Sequence, residues 1–355
     1  MAQRRILDGD GHVFEIEREI LEFMEPPYNH EGMLAFPFFP TLDGYHRIHI
    51  ATPFQGARKR WVNAQDWVDF MDETGIESTV VYPTTGTGFG MIQDPHWATI
   101  VARAYNDWVH HKYYRKSNRI RFAAIVPLQN PQEAVKEARR AVEKLQAACI
   151  LVVTSPSDRG YRKSLGDQSF WPLYAEIERL GVPVAVHSGV SVGWGFDYFT
   201  QFALTQNLEH PVAQMVAMTS FVMEGVLEHF KNLRVAFLES GVGWALYMLD
   251  RMDRSFDIWK GHHNITTKPS ELVLGGRVFF TFEPDEKLLP YAVKTFGSES
   301  LFWATDFPHE KTVQSTQKEI EEVRAIKGIT EQDIENLLFR TCERFYERTP
   351  ALVSA

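Results

Sequence analysis

At 355 residues and a net charge of −9, the chain can bury a sizeable core and has no basic excess to offer nucleic acid or an anionic membrane. No apolar run reaches the ~18 residues that cross a bilayer, and the N-terminus lacks the charged-then-apolar plan of a secretory signal. Cys149 and Cys342 stand far apart and make no disulfide framework, so a reducing, cytoplasmic location is expected.

Short apolar or β-branched runs recur along the chain, most of them followed by a longer helical pattern. The first is 5–10, in "RRILDGDGHVFE". The second is 77–85, after the amphipathic "WVDFMDETG". The third and fourth, 121–128 and 148–155, flank "NPQEAVKEARRAVEKLQ", a helix with Pro131 in its first turn. The fifth is 181–189, with Gly181 at the exit of the preceding helix. The sixth, seventh and eighth are 233–241, 277–284 and 300–309. Near-continuous apolar runs of this kind are strands buried on both faces. Eight of them with helices between predict a single (β/α)8 TIM barrel over 1–355, not an open doubly wound sheet, since no GxGxxG follows a strand. Residues 25–64 read as an insertion after strand 1, and 189–209 as one after strand 5. A C-terminal helix is expected over 330–348, packed outside the barrel.

The strand ends carry polar residues at the face where barrels place their chemistry. Strand 1 brings Asp10 and His12, which share a face because strand side chains alternate. Strand 5 ends in His187, strand 6 in Glu239, strand 7 in Glu283, and strand 8 in Asp306 followed by His309. Each alone reads as a core histidine, a helix cap or an ion-pair partner, with Arg251 the partner for Glu239. Together at one rim they need a counter-charge, and a divalent cation supplies it. Glu15 reads as a ligand or a helix charge. His210 reads as an exposed loop residue ahead of a helix. Trp194, Phe196 and Tyr198, with Phe36, Phe38, Phe39 and Tyr45, form an aromatic wall suited to an apolar or aromatic substrate, to a subunit interface, or to both.

In this order, "DGDGHVFE", "VAVHSG", "FLESGVGW" and "FWATDFPH" resemble the amidohydrolase-related family. That family holds metal-dependent hydrolases and the decarboxylases related to aminocarboxymuconate-semialdehyde decarboxylase. "YNDWV", "VPLQNP" and "LYMLDRMD" extend the resemblance over nearly the whole chain. It implies a metal held by Asp10, His12, His187 and Asp306, and often a homodimer. Two departures stand out. Asp10 replaces a histidine common at its position, and Glu239 stands where decarboxylase members carry an acid/base histidine.

The combined expectation is one or two Zn, Mn or Fe ions on Asp10, His12, His187, Glu239 and Asp306. Asp306, Glu239 and His309 would be catalytic, and Trp194, Phe196, Tyr198 and Glu283 would line the pocket. Metal-activated water or a metal-bound carboxylate makes the protein a hydrolase or a decarboxylase, and the missing strand-6 histidine tips the balance toward hydrolysis. The alternatives are a non-haem (di-)iron oxygenase with Glu239 as the extra ligand, and a non-catalytic ligand-binding barrel.

Overall fold

The computed structural model describes residues 5–40, 61–154, 163–189, 199, 201–309 and 311–349. Eight parallel strands run in the order β1 to β8. They are β1 (Leu7–Val13), β2 (Ser78–Pro83), β3 (Ile120–Ile125), β4 (Cys149–Val153), β5 (Val184–His187), β6 (Val235–Phe237), β7 (Val278–Thr281) and β8 (Leu301–Phe302). One longer helix fills each interval: α1 (Ala64–Thr74), α2 (Pro95–Lys112), α3 (Pro131–Glu143), α4 (Trp171–Leu180), α5 (Phe202–Met223), α6 (Gly243–Ile258) and α7 (Leu289–Phe296). After β8 comes α8 (Val313–Arg324). This is the expected (β/α)8 barrel.

Backbone bonds close the circle between the first strand and the residues after the last. Gly9 N donates to Trp303 O (3.2 Å), Asp306 N to Asp10 O (2.9 Å) and His12 N to Phe307 O (2.7 Å). Asp8, fully buried, adds a side-chain strut. Its Oδ2 accepts from the hydroxyls of Thr79 (2.7 Å) and Thr305 (2.9 Å), and its Oδ1 from Thr305 N (2.9 Å).

The glycines in "DGDGH" answer to close packing. A Cβ on Gly9 would lie 2.4 Å from the Phe302 ring, and one on Gly11 2.4 Å from Trp67 of α1. Only a bare backbone fits there, while Asp8, Asp10 and His12 take the other face.

Helix ends follow local chemistry. Asn63 and Asp66 form a reciprocal capping box at the start of α1, and Gly75 leaves it at φ 78°. The carboxylate of Glu286 accepts from Val242 N and Gly243 N, which fixes the start of α6 just after Glu239.

Two expectations change here. The insertion expected over 189–209 is helical from Phe202 onward, because α5 begins there and runs through Pro211, while 190–198 and 200 lie outside the described residues. The C-terminal segment is helical from Glu331 to Tyr346, but it does more than lie outside the barrel. Tyr346 Oη donates to Gly9 O (2.5 Å) and bonds Tyr82 Oη (2.6 Å), so this segment enters the barrel floor.

Candidate metal centre and active site

Asp10 and His12 of β1 are fully buried, and so is His187 at the end of β5. His12 Nδ1 donates to Pro83 O (3.1 Å), and His187 Nδ1 donates to Ser188 O (2.6 Å). Each bond fixes a tautomer and leaves Nε2 with a lone pair. The two Nε2 atoms each lie 3.6 Å from an Asp10 oxygen, one oxygen apiece. Tyr82 packs beneath, its ring 5.8 Å from that of His187.

Glu239 follows β6. Its Oε2 is 2.8 Å from His187 Nε2 and 3.9 Å from His12 Nε2. Its backbone takes φ 52°, the left-handed region, and its N–H donates to Thr281 Oγ1 (2.9 Å). Asp306, after β8, also stands at positive φ (53°). Strain of this kind costs of order 1–3 kcal/mol and gathers at functional sites. The His309 ring lies 4.1 Å from that of His12, and its Nε2 is 3.1 Å from Thr84 Oγ1.

Among the described residues, Asp10, His12 and His187 form one group of donors within 4.8 Å of one another, and His12, Glu239 and His309 form another. Asp306 belongs to neither. It sits half-buried at the rim, facing the same charges.

The electrostatics describe a site short of positive charge. Burial, with Glu239 and Asp8, pushes the Asp10 carboxyl well above its usual range, against the pull of His187. Burial, with Glu239, Asp10 and Glu283, does the same to Asp306, and Lys311 opposes it. Burial, helped by His309 and His187, holds His12 neutral. Burial would also lower His187, but Asp10 and Glu239 outweigh it and lift that ring to about 9.

A divalent cation fits this arrangement. Both Asp10 oxygens and His12 Nε2 are buried without a hydrogen-bond partner, and they converge with His187 Nε2. Unpaired buried polar atoms are costly, and the Asp10 and Glu239 carboxylates with the His12 imidazole and that of His187, once it gives up its proton, are an N/O donor set for a first-row metal.

Other expected residues separate. Glu15 is structural, because its carboxylate accepts from Thr85 N, Thr85 Oγ1 and Gly86 N and has no oxygen left for an ion. Phe38 and Phe39 are core residues packed on Trp97 and Tyr105, whereas Phe36 is exposed. Arg251 is exposed, and the charged partners of Glu239 among the described residues are all imidazoles. Glu283 is half-buried, and burial with Glu319 and Glu286 pushes it up to about 7 against Lys311. Trp194, Phe196, Tyr198 and Tyr45 lie outside the described residues.

The sequence reading ranked His210 as a weaker candidate, more readily an exposed loop residue. It is no exposed loop residue. It sits within α5, half-buried, with Nε2 3.6 Å from Glu239 Oε1. Pro211 disguised it by resembling a helix start, whereas the helix begins earlier, at Phe202. The usable signal was Gln214, one turn on and also polar, beside the buried Ala213, Ala217 and Met218.

The barrel with its donor-lined rim defines a metal-dependent enzyme of the amidohydrolase type. The amidohydrolase family model matches residues 44–348, and the chain belongs to that family. Over 261 residues it is 25% identical to the 2-amino-3-carboxymuconate-6-semialdehyde decarboxylase of Dictyostelium discoideum, a stretch covering 73% of this chain and 69% of that protein. Its fold matches an amidohydrolase from Mycobacterium avium subsp. paratuberculosis (TM-score 0.76, 20% identity, 98% of this chain and 100% of that one). It also matches a dihydroxybenzoic acid decarboxylase from Polaromonas sp. JS666 with bound manganese and 2-nitroresorcinol (TM-score 0.72, 18% identity, 97% of each chain). These comparisons lend no support to the iron oxygenase alternative.

Proposed function

We propose that the protein is a metal-dependent carboxy-lyase that removes CO2 from a small aromatic or unsaturated carboxylate. One observation carries the reading: the Asp10, His12 and His187 donors converge at the rim of a barrel whose matches include decarboxylases, one of them holding manganese. This shifts the balance away from the hydrolysis favoured by the sequence.

Asp10, His12, His187 and Glu239 would hold the ion. When bound, the ion supplies positive charge that orients an anionic substrate and stabilises developing negative charge. Asp306, beside the ligand group and outside it, is the proton carrier. As the bond from the substrate carbon to its carboxyl breaks, the electron pair stays on carbon and the Asp306 carboxyl proton moves to it. Solvent then restores that proton. His309 flanks His12 and lines the same space.

Manganese is the metal favoured here, on the N/O donor set and on the manganese-bound neighbour. A cytoplasmic location is supported by Cys149 and Cys342, both free. A homodimer is supported by the exposed Tyr247, Trp259 and Tyr291.

The test is CO2 release by the manganese-loaded protein from a panel of hydroxylated benzoates, run beside aryl esters and amides. CO2 from the acids with no hydrolysis is the expected result, and hydrolysis without CO2 would reverse the assignment. Asp306→Asn should lower kcat by ~10²–10⁴, the range for a general acid, with metal content unchanged.

A further inference from the structure

The two oxygens of Glu239 face different partners. Oε2 turns to His187 and His12, at 2.8 and 3.9 Å. Oε1 turns to His210 Nε2, at 3.6 Å. Asp10 differs, since its two oxygens face only His12 and His187 of the ligand group.

His210 is fixed by the main chain of the strands that carry the other groups. Gln214, on the same face of α5, donates to Val186 O (3.0 Å) and Leu238 O (2.8 Å). Ser188 Oγ donates to His210 O (3.3 Å). These bonds tie α5 to the ends of β5 and β6, next to His187 and Glu239. On the far side of the ring, Nδ1 is buried without a hydrogen bond and lies 3.6 Å from Glu209 Oε2.

We propose that His210 is a positioning residue for the metal: it takes Glu239 Oε1, so that Oε2 is presented to the ion, and Glu209 orients its ring from behind. The inference rests on the reading of Glu239 as a ligand. A carboxylate that binds an ion through one oxygen leaves the other in need of a donor, and burial makes that need costly. No lysine or arginine pairs with Glu239 among the described residues, and His210 is the donor within reach. The 3.6 Å separation is longer than a hydrogen bond, and a small side-chain rotation closes it once Oε2 is drawn to the cation. An imidazole thus returns to the strand-6 side of the site from a helix, one atom layer behind the carboxylate that replaced it.

The experiment measures Mn(II) dissociation constants on the full chain by competition with a chelating dye. The proteins are the parent, His210→Phe, His210→Gln, Glu239→Gln, the double variant His210→Phe/Glu239→Gln, and His12→Ala. His210→Phe should weaken binding by ~10–100-fold, the usual cost of losing an outer partner of a ligand. His210→Gln keeps a donor and should recover most of that loss. Adding His210→Phe to Glu239→Gln should change binding by less than about threefold, because the partner it serves is already altered. Parent-like binding by His210→Phe, or an equal loss in both backgrounds, overturns the proposal. Parent-like binding by Glu239→Gln also overturns it. Parent-like binding by His12→Ala instead refutes the metal site itself, which separates the two failures. Thermal melts confirm folding, and His210→Met carries the test if the Phe variant does not fold.

Discussion

Asp10 and His12 stand within strand β1, while Glu239 and Asp306 stand on left-handed turns. The first pair is fully buried; His12 pairs with Tyr82 of β2, Asp10 sits where that register shifts, and both are bonded to the residues after β8. The second pair projects from the ends of β6 and β8 at φ 52° and 53°. The difference separates two tasks. A buried strand bonded to its neighbours fixes its donors, which suits the holding of an ion. Strained turns aim a carboxylate across the rim, which suits contact with both ion and substrate.

The largest expected effect tests the strand side. Asp10→Asn removes a charge from a fully buried site and should weaken Mn(II) binding beyond the ~100-fold that loss of an outer partner costs. Elemental analysis after dialysis would show it as loss of metal. Retention of metal would remove the distinction between the two sides.

Next comes pH. With no ion bound, His187 holds a proton to about 9, because Asp10 and Glu239 outweigh the effect of burial. A ligand nitrogen must lose that proton to bind, so binding releases it. The apparent Mn(II) affinity should therefore fall as pH drops below about 9, by up to tenfold per unit for this one proton. Titrations at several pH values would register it. A flat profile would mean that His187 is already neutral.

The smallest effect isolates the backbone. Glycine adopts positive φ without penalty, so Glu239→Gly should be more stable than Glu239→Ala by about 1 kcal/mol, and the same order should hold at Asp306. At His12, on regular strand, the order should reverse by ~0.5–1 kcal/mol. Denaturant unfolding of the six variants gives all three comparisons.

Much of this was legible in the sequence for a physical reason. Strands buried on both faces are apolar throughout, so Val184–His187 and Val235–Phe237 announce themselves, and a polar residue ending such a run is conspicuous. That is how Asp10, His12, His187 and Glu239 came into view. What stayed hidden depends on tertiary packing. His210 acts through a helix whose register local pattern could not give, with Pro211 inside it pointing to the wrong start. Phe38 and Phe39 were read as pocket wall, but they are buried against Trp97 and Tyr105, which no spacing in their own segment encodes. The strut role of Asp8 likewise depends on Thr79 and Thr305, which lie far from it in the sequence.

The barrel floor carries one more consequence. Tyr346 reaches Gly9 O, and the carbonyl of Asp10 is met by the amide of Asp306, so the metal-bearing strand is completed by residues nearly 300 or more positions downstream. A chain cut before β8 would keep the donors of strand 1 and its β2 partner, yet lose the bonds that Asp10 and His12 make to Asp306 and Phe307.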